Sequence, residues 1–137
     1  MNKNFRLAKT SDLLSINEIY NQAIAQRHQT ADLEIYTIEQ THDWFVAHNI
    51  EKYPVFVLEI DTNVVGWSSL SSYRSGRLAL GKVAEISYYV DKNHLRVGNG
   101  MKLIEDTMSM ATEYGFEVLV AILLDSNEAS KSILKKF

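Results

Sequence analysis

The chain contains no cysteine, which excludes a disulfide scaffold, a thiolate nucleophile and a Cys-ligated zinc site. It has a single proline, Pro54, and no low-complexity stretch that would mark a linker between domains. Positive charge is scarce: 14 Lys and Arg stand against 17 Asp and Glu, a net charge of −3. The one basic cluster, Lys131, Lys135 and Lys136, lies where a terminal helix would end, an ordinary place for dipole partners, so a nucleic-acid footprint is missing. No apolar run reaches bilayer-spanning length, and Met1-Asn2-Lys3-Asn4-Phe5-Arg6 lacks the apolar core of a signal peptide. His28, His42, His48 and His94 show no metal-ligand spacing with acidic partners and read as surface or capping residues. These absences point to a cytoplasmic protein with no membrane or nucleic-acid partner and no metal. With 46% hydrophobic residues in 137, the chain has material for one core.

What is present alternates between strand and helix signals. Phe5-Arg6-Leu7-Ala8 reads as a first strand. Thr10, Ser11 and Asp12 compete as N-caps for a helix whose apolar positions are Leu13, Ile16, Ile19, Tyr20, Ala23 and Ile24, one buried stripe. Residues 27–36 look irregular. Thr37-Ile38-Glu39-Gln40 fits a capping box that opens a second helix carrying Trp44, Phe45 and His48. Pro54-Val55-Phe56-Val57-Leu58-Glu59 and Val64-Val65-Gly66-Trp67-Ser68-Ser69-Leu70 are strands joined by a turn at Asp61-Thr62-Asn63. Residues 71–81 form a loop rich in Ser, Arg and Gly. A further strand, Val83-Ala84-Glu85-Ile86-Ser87-Tyr88-Tyr89-Val90, leads to a helix opening at Met101 with Leu103, Ile104, Thr107, Met108 and Ala111 inward, and Gly115 as its C-terminal left-handed residue. Val118-Leu119-Val120-Ala121-Ile122-Leu123-Leu124 suits a strand buried on both faces. Asp125, Ser126 and Asn127 can cap a last helix. An α/β fold on a mixed sheet accommodates this order.

Between the Glu85 strand and the Met101 helix lies Arg96-Val97-Gly98-Asn99-Gly100. The first N–H groups of a helix lack internal partners, and the helix dipole adds partial positive charge there. Gly98 and Gly100 would let an anion approach the backbone without a Cβ in the way. Two glycines are also what a plain strand-to-helix connection carries.

The order of elements, together with this loop, resembles the GNAT superfamily of acetyl-CoA-dependent N-acetyltransferases, and within it the phosphinothricin and methionine-sulfone acetyltransferase group. The resemblance runs over the whole chain. It is carried by Arg6-Leu7-Ala8-Lys9-Thr10-Ser11-Asp12-Leu13, Ile19-Tyr20-Asn21-Gln22-Ala23-Ile24, Thr30-Ala31-Asp32, Trp44-Phe45, Tyr53-Pro54-Val55-Phe56-Val57, Val65-Gly66-Trp67-Ser68-Ser69-Leu70, Ala84-Glu85-Ile86-Ser87 and Asn127-Glu128-Ala129-Ser130. It implies one GNAT domain over residues 1–137, shorter at its C-terminus than the family by two strands. Those strands would cover residues 118–124, and an uncovered strand edge invites pairing with another chain. A homodimer is the expected assembly.

For the cofactor, acetyl-CoA, the resemblance implies a pyrophosphate site at Leu95, Arg96, Val97, Gly98, Asn99, Gly100 and Met101. The family pattern Q/R-x-x-G-x-G/A places Leu95 where Arg or Gln is usual, with Arg96 one residue later, so backbone N–H groups would carry the binding. The backbone of Ile86, Ser87, Tyr88, Tyr89 and Val90 would pair with the pantetheine arm, in a gap between this strand and the next. Asn127 and Ser130, at the start of the last helix, match positions near that arm.

N-acetylation needs a neutral amine, because an ammonium has no lone pair, and a carboxylate is the natural base. Glu85 is the one acid inside its apolar strand and matches the glutamate of this group, so it is the candidate catalytic residue. The family often places a Tyr or His on the last helix to protonate the thiolate; here Leu134 stands there, and the role is unassigned. Tyr73, Arg74 and Arg77 match the segment that binds the carboxylate of an amino-acid-like substrate, for which the guanidinium fork is suited. Thr30 and Asp32 would form another wall. The implied activity is transfer of acetyl from acetyl-CoA to a small amino-acid-like amine of the phosphinothricin or methionine sulfone/sulfoximine type. A protein or peptide N-acetyltransferase and a non-catalytic acyl-CoA-binding module are the alternatives.

Overall fold

The computed structural model describes residues 2–26, 34–48, 50–72, 82–95 and 97–121. Among the described residues, five strands form one sheet: β1 (Lys3–Leu7), β2 (Val55–Ile60), β3 (Asn63–Ser72), β4 (Val83–Val90) and β5 (Val118–Val120), in that spatial order. The first four run antiparallel to their neighbours, and β5 joins β4 in parallel. The mixed α/β sheet expected from the sequence is therefore present. Among the described residues no helix is long and apolar enough to cross a membrane.

Helices cover both faces. The stripe on α1 (Leu13–Gln26) buries Leu13, Ile16 and Ile19 against Val55, Val57 and Trp67, and α2 (Ile38–Ala47) joins the same face through Trp44 and Phe45. On the opposite face, α3 (Asn99–Glu113) packs Leu103 against Leu58, Ile60 and Val65, and Ala111 against Leu70, Ala84 and Ile86. The strands β2, β3 and β4 pack side chains on both faces because successive side chains alternate between faces. A hydrogen bond of 2.7 Å between the buried hydroxyls of Ser68 and Thr107 adds a polar link between β3 and α3.

Local chemistry sets the element ends. The Thr37 hydroxyl accepts from Gln40 N–H at 3.1 Å while Gln40 Oε1 accepts from Thr37 N–H at 2.8 Å, the expected capping box. The β2–β3 turn places Asp61 and Thr62 at φ +50 and +74, the left-handed geometry whose twist matches a tight hairpin. Gly115, at φ +88, follows the last turn of α3 as expected.

Three expectations need correction. Thr10–Asp12 form a 3-10 turn rather than a simple cap: the Asp12 carboxylate accepts Lys9 N–H at 2.8 Å and pairs with both Arg6 guanidinium nitrogens at 2.8 and 2.9 Å. The Arg6 hydrogen bond holds the Asp12 carboxyl below its ordinary range despite the opposing effect of burial. Helix α3 begins at Asn99, ahead of Met101, because Gly98 takes a left-handed conformation that serves as its N-cap. Finally, Val118 is 51% exposed, so the described part of β5 is not buried on both faces; it enters the sheet beside the exposed Lys82–Glu117 pair. The rest of the 118–124 run and the expected last helix lie outside the described residues.

Candidate active site

Alternation along β4 sends Glu85, Ser87 and Tyr89 to the face covered by α1 and α2. Their antiparallel partners on β3 are Ser71, Ser69 and Trp67, and directly opposite residues share a face. These six side chains floor a cavity of about 230 Å³. Its walls are Ile16 and Tyr20 from α1, Thr41, Trp44 and His48 from α2, and Tyr36 from the segment before α2.

Two asparagines on α1 build the wall. Asn21 accepts Tyr36 N–H at 2.8 Å and donates to Tyr36 O at 2.9 Å, while Asn17 donates to Tyr36 O and to the Thr41 hydroxyl, both at 2.9 Å. The rings then interlock edge to face: Tyr20 with Tyr36 at 5.2 Å between centroids, and Trp44 with Trp67 at 5.4 Å, with Trp67 tilted over Tyr89 at 4.9 Å. Trp67 is 4% exposed, and its indole N–H has no hydrogen-bond partner among the described residues.

His48 differs from the surface-or-capping expectation. Its N–H does close α2, bonding Trp44 O at 3.0 Å, but its ring is half-buried in the cavity wall with Nε2 2.8 Å from Leu70 O. Burial lowers its pKa, so the ring is neutral near pH 7 and Nε2–H donates to that carbonyl. His42 is exposed, and His94 pairs with Asp91; His28 lies outside the described residues.

The other half of the site is the connection from β4 to α3. Among the described residues, β4 pairs with β5 at Val83↔Val118, Ala84↔Leu119 and Glu85↔Val120. From there β4 continues to Val90 toward the start of α3. At the far end Gly98 has φ +88, and a Cβ built on it would meet nothing within 4 Å. Glycine suits the left-handed backbone conformation, and among the described residues nothing fills the space in front of it. The first helical bond runs from Lys102 N–H to Gly98 O at 3.0 Å, so the N–H groups of Asn99, Gly100 and Met101 precede the helical ladder. Asn99 is buried, donates from Nδ2 to His94 O at 3.0 Å, and has no partner for Oδ1 among the described residues. A strand leading to helix N–H groups that precede the helical ladder fits a cofactor that carries a pyrophosphate.

The structure thus brings Glu85, Ser87 and Tyr89 together in one cavity. Ile86 packs against Leu70 and Ala84 on the opposite face, and Tyr88 and Val90 lie beside Leu58, Val65 and Leu103. Leu95 and Val97 are exposed beside the loop. Arg96, Tyr73, Arg74, Arg77, Thr30, Asp32, Asn127, Ser130 and Leu134 lie outside the described residues. Sequence reasoning missed Tyr20, Tyr36, Trp44, His48, Trp67, Ser69 and Ser71 as cavity residues. A signal existed for three of them: Trp67, Ser69 and Ser71 alternate along one strand, and the hairpin pattern puts them on one face.

Comparison with known proteins identifies the family. The family profile "Acetyltransferase (GNAT) domain" matches residues 4–137. YwnH of Bacillus subtilis, provisionally named a phosphinothricin acetyltransferase, is 36% identical over 132 residues, covering 96% of this chain and 80% of the relative. The L-methionine sulfoximine/L-methionine sulfone acetyltransferase of Salmonella typhimurium is 32% identical over 127 residues, covering 91% and 72%. The structure of yncA from Salmonella typhimurium, solved with its cofactor acetyl-CoA, superimposes with a TM-score of 0.90 at 28% identity, covering 98% of this chain and 77% of that one. The profile spans nearly the whole chain and the fold agrees throughout: this chain belongs to the GNAT family and is an acetyl-CoA-dependent N-acetyltransferase.

Proposed function

We propose that the chain, acting as one GNAT domain, acetylates the amine of a small amino-acid-like substrate, of the phosphinothricin or methionine sulfone/sulfoximine type, with Glu85 as general base. One observation carries this reading. Glu85 lies on the cavity floor, and among the described residues it is the last β4 residue paired with β5, so its carboxylate is within the cavity that would receive the amine.

Bound acetyl-CoA supplies the thioester carbonyl that the amine attacks. The chain's own residues do the rest. The N–H groups of Asn99, Gly100 and Met101, within the 95–101 loop, would hold the pyrophosphate, and the backbone of residues 86–90 would align the pantetheine arm. An amino acid arrives as an ammonium; the Glu85 carboxylate takes one of its protons, leaving the nitrogen lone pair free. The cavity, about 230 Å³, is of a size for a short side chain. Tyr73, Arg74 and Arg77 serve the substrate carboxylate, Thr30 and Asp32 a further wall, and Asn127 and Ser130 the cofactor arm; support for these is the match to the family pattern. A cytoplasmic homodimer completes the proposal, and light scattering reads its assembly.

The names of the relatives support the substrate class: two act on, or are provisionally named for, amino-acid analogues. The test is thiol release from acetyl-CoA across L-methionine sulfone, L-methionine sulfoximine, phosphinothricin, the common amino acids and a set of peptides with free N-termini. Turnover on a small amino-acid analogue is expected. Turnover on peptides alone would overturn the reading.

A further inference from the structure

Helix α1 reaches across the molecule to the turn that precedes the cofactor loop. Gln22 donates from Nε2 to Asp91 Oδ1 at 2.8 Å and accepts at Oε1 from Lys92 N–H at 2.9 Å. One side-chain amide thus grips two consecutive residues about 70 positions away along the chain. Asp91 passes the grip onward. Its Oδ2 accepts from His94 Nδ1 at 2.8 Å and from Asn93 N–H at 3.2 Å, and its carbonyl accepts His94 N–H at 2.8 Å. Its own N–H donates to Val65 O on β3 at 2.8 Å. The His94 carbonyl then accepts from Asn99 Nδ2, on the first residue of α3. Burial pushes the Asp91 carboxyl up, but the hydrogen bonds from Gln22, His94 and Asn93 outweigh it and keep the group ionised.

The loop has little apolar anchorage of its own, since Leu95 and Val97 are 44% and 63% exposed. Its aim must come from polar links. We propose that Gln22 and Asp91 are positioning residues for acetyl-CoA: they clip the turn at residues 91–94 to α1 and, through His94 and Asn99, orient the N–H groups that open α3. The same helix carries Tyr20 in the acceptor cavity two residues earlier, so one strut supports both halves of the site. The inference rests on reading residues 95–101 as the pyrophosphate loop.

The test measures CoA binding by calorimetry on the full chain, with steady-state kinetics on an acceptor from the panel above. Gln22→Ala is expected to weaken CoA binding by about 5- to 30-fold, the scale of one or two lost hydrogen bonds. The KM for acetyl-CoA rises in step, while kcat and the acceptor KM stay within about two-fold. Gln22→Glu opposes two carboxylates and binds CoA more weakly still. Adding Asp91→Asn to it exchanges donor and acceptor across the same contact and leaves Lys92 N–H its partner, so CoA affinity returns to within about three-fold of the parent. Unchanged CoA affinity in Gln22→Ala, an equal rise in the acceptor KM, or no recovery in the reversed pair overturns the proposal. If Gln22→Ala does not fold, the reversed pair decides by the same affinity criterion. Gly98→Val is the separate control, because it forces a β-branched residue to φ +88. CoA binding that survives this change refutes the loop reading itself; binding lost there but intact in Gln22→Ala refutes only the positioning role.

Discussion

Glu85→Gln is the most direct probe of the chemistry. Glutamine has the shape of glutamate and keeps an acceptor oxygen, but it cannot take a proton from an ammonium at neutral pH. The backbone of Glu85 is held on both sides, paired with Ser71 on β3 and Val120 on β5, so the fold persists. The change is therefore confined to proton transfer, a contribution of about 10²- to 10⁴-fold, or about 3–5 kcal/mol at 1.36 kcal/mol per decade. The expected result is a fall in kcat of that size. The KM for acetyl-CoA stays within about two-fold, because the side chain faces α1 and α2 while the proposed cofactor loop opens α3. Thiol release monitored with a chromogenic disulfide reads both quantities. An acceptor whose amine is already neutral at the assay pH should lose far less. A kcat within about three-fold of the parent, or an equal loss on the neutral amine, refutes the role.

Two further predictions concern the frame that carries the site. Thr107→Val strands the buried Ser68 hydroxyl and should cost about 1–3 kcal/mol, whereas adding Ser68→Ala removes both partners and recovers most of the loss; urea midpoints for the two singles and the double check it, and simple additivity refutes it. Arg6→Ala unpairs Asp12, whose side chain is only 7% exposed, and should cost about 2 kcal/mol at neutral pH. Arg6 holds the carboxyls of Asp12 and Glu59 below their ordinary values. Their contribution is therefore full above the unfolded carboxylate pKa and disappears as pH falls through the lower folded values. The gap between parent and Arg6→Ala in urea midpoint should thus narrow from pH 7 to about pH 3, and a constant gap refutes the pairing.

Much of the fold was legible because it is governed by short-range rules. The period-2 run at residues 83–90, the Thr37/Gln40 box and Gly115 each act over a few residues, and the structure shows all three. The start of α3 was missed by two residues because nothing local distinguishes a loop glycine from a left-handed N-cap. Asp12 was readable as a candidate cap, but its ion pair with Arg6 depends on β1 and the turn after it folding toward each other. His48 has the composition of a surface residue, and only the packing of α2 over β3 brings its ring to Leu70.

By itself, the sequence determined which residue types were available for chemistry and in what local order: one acid in an apolar strand, then a glycine-bearing loop, then a helix start. Alternation also determined that Glu85, Ser87 and Tyr89 share a face. It could not say which helices lie over that face, since the apolar stripes of α1 and α3 would each suit either side of the sheet. Tertiary structure decided this by seating Ile16 and Ile19 on Val57 and Trp67, and Leu103 on Leu58 and Val65. With that choice Tyr20, Trp44 and His48 closed a cavity over Glu85, and Gln22 met Asp91. The physical reason is range: hydrogen-bonding and periodicity rules act over a few residues, whereas burial acts between surfaces far apart in the chain.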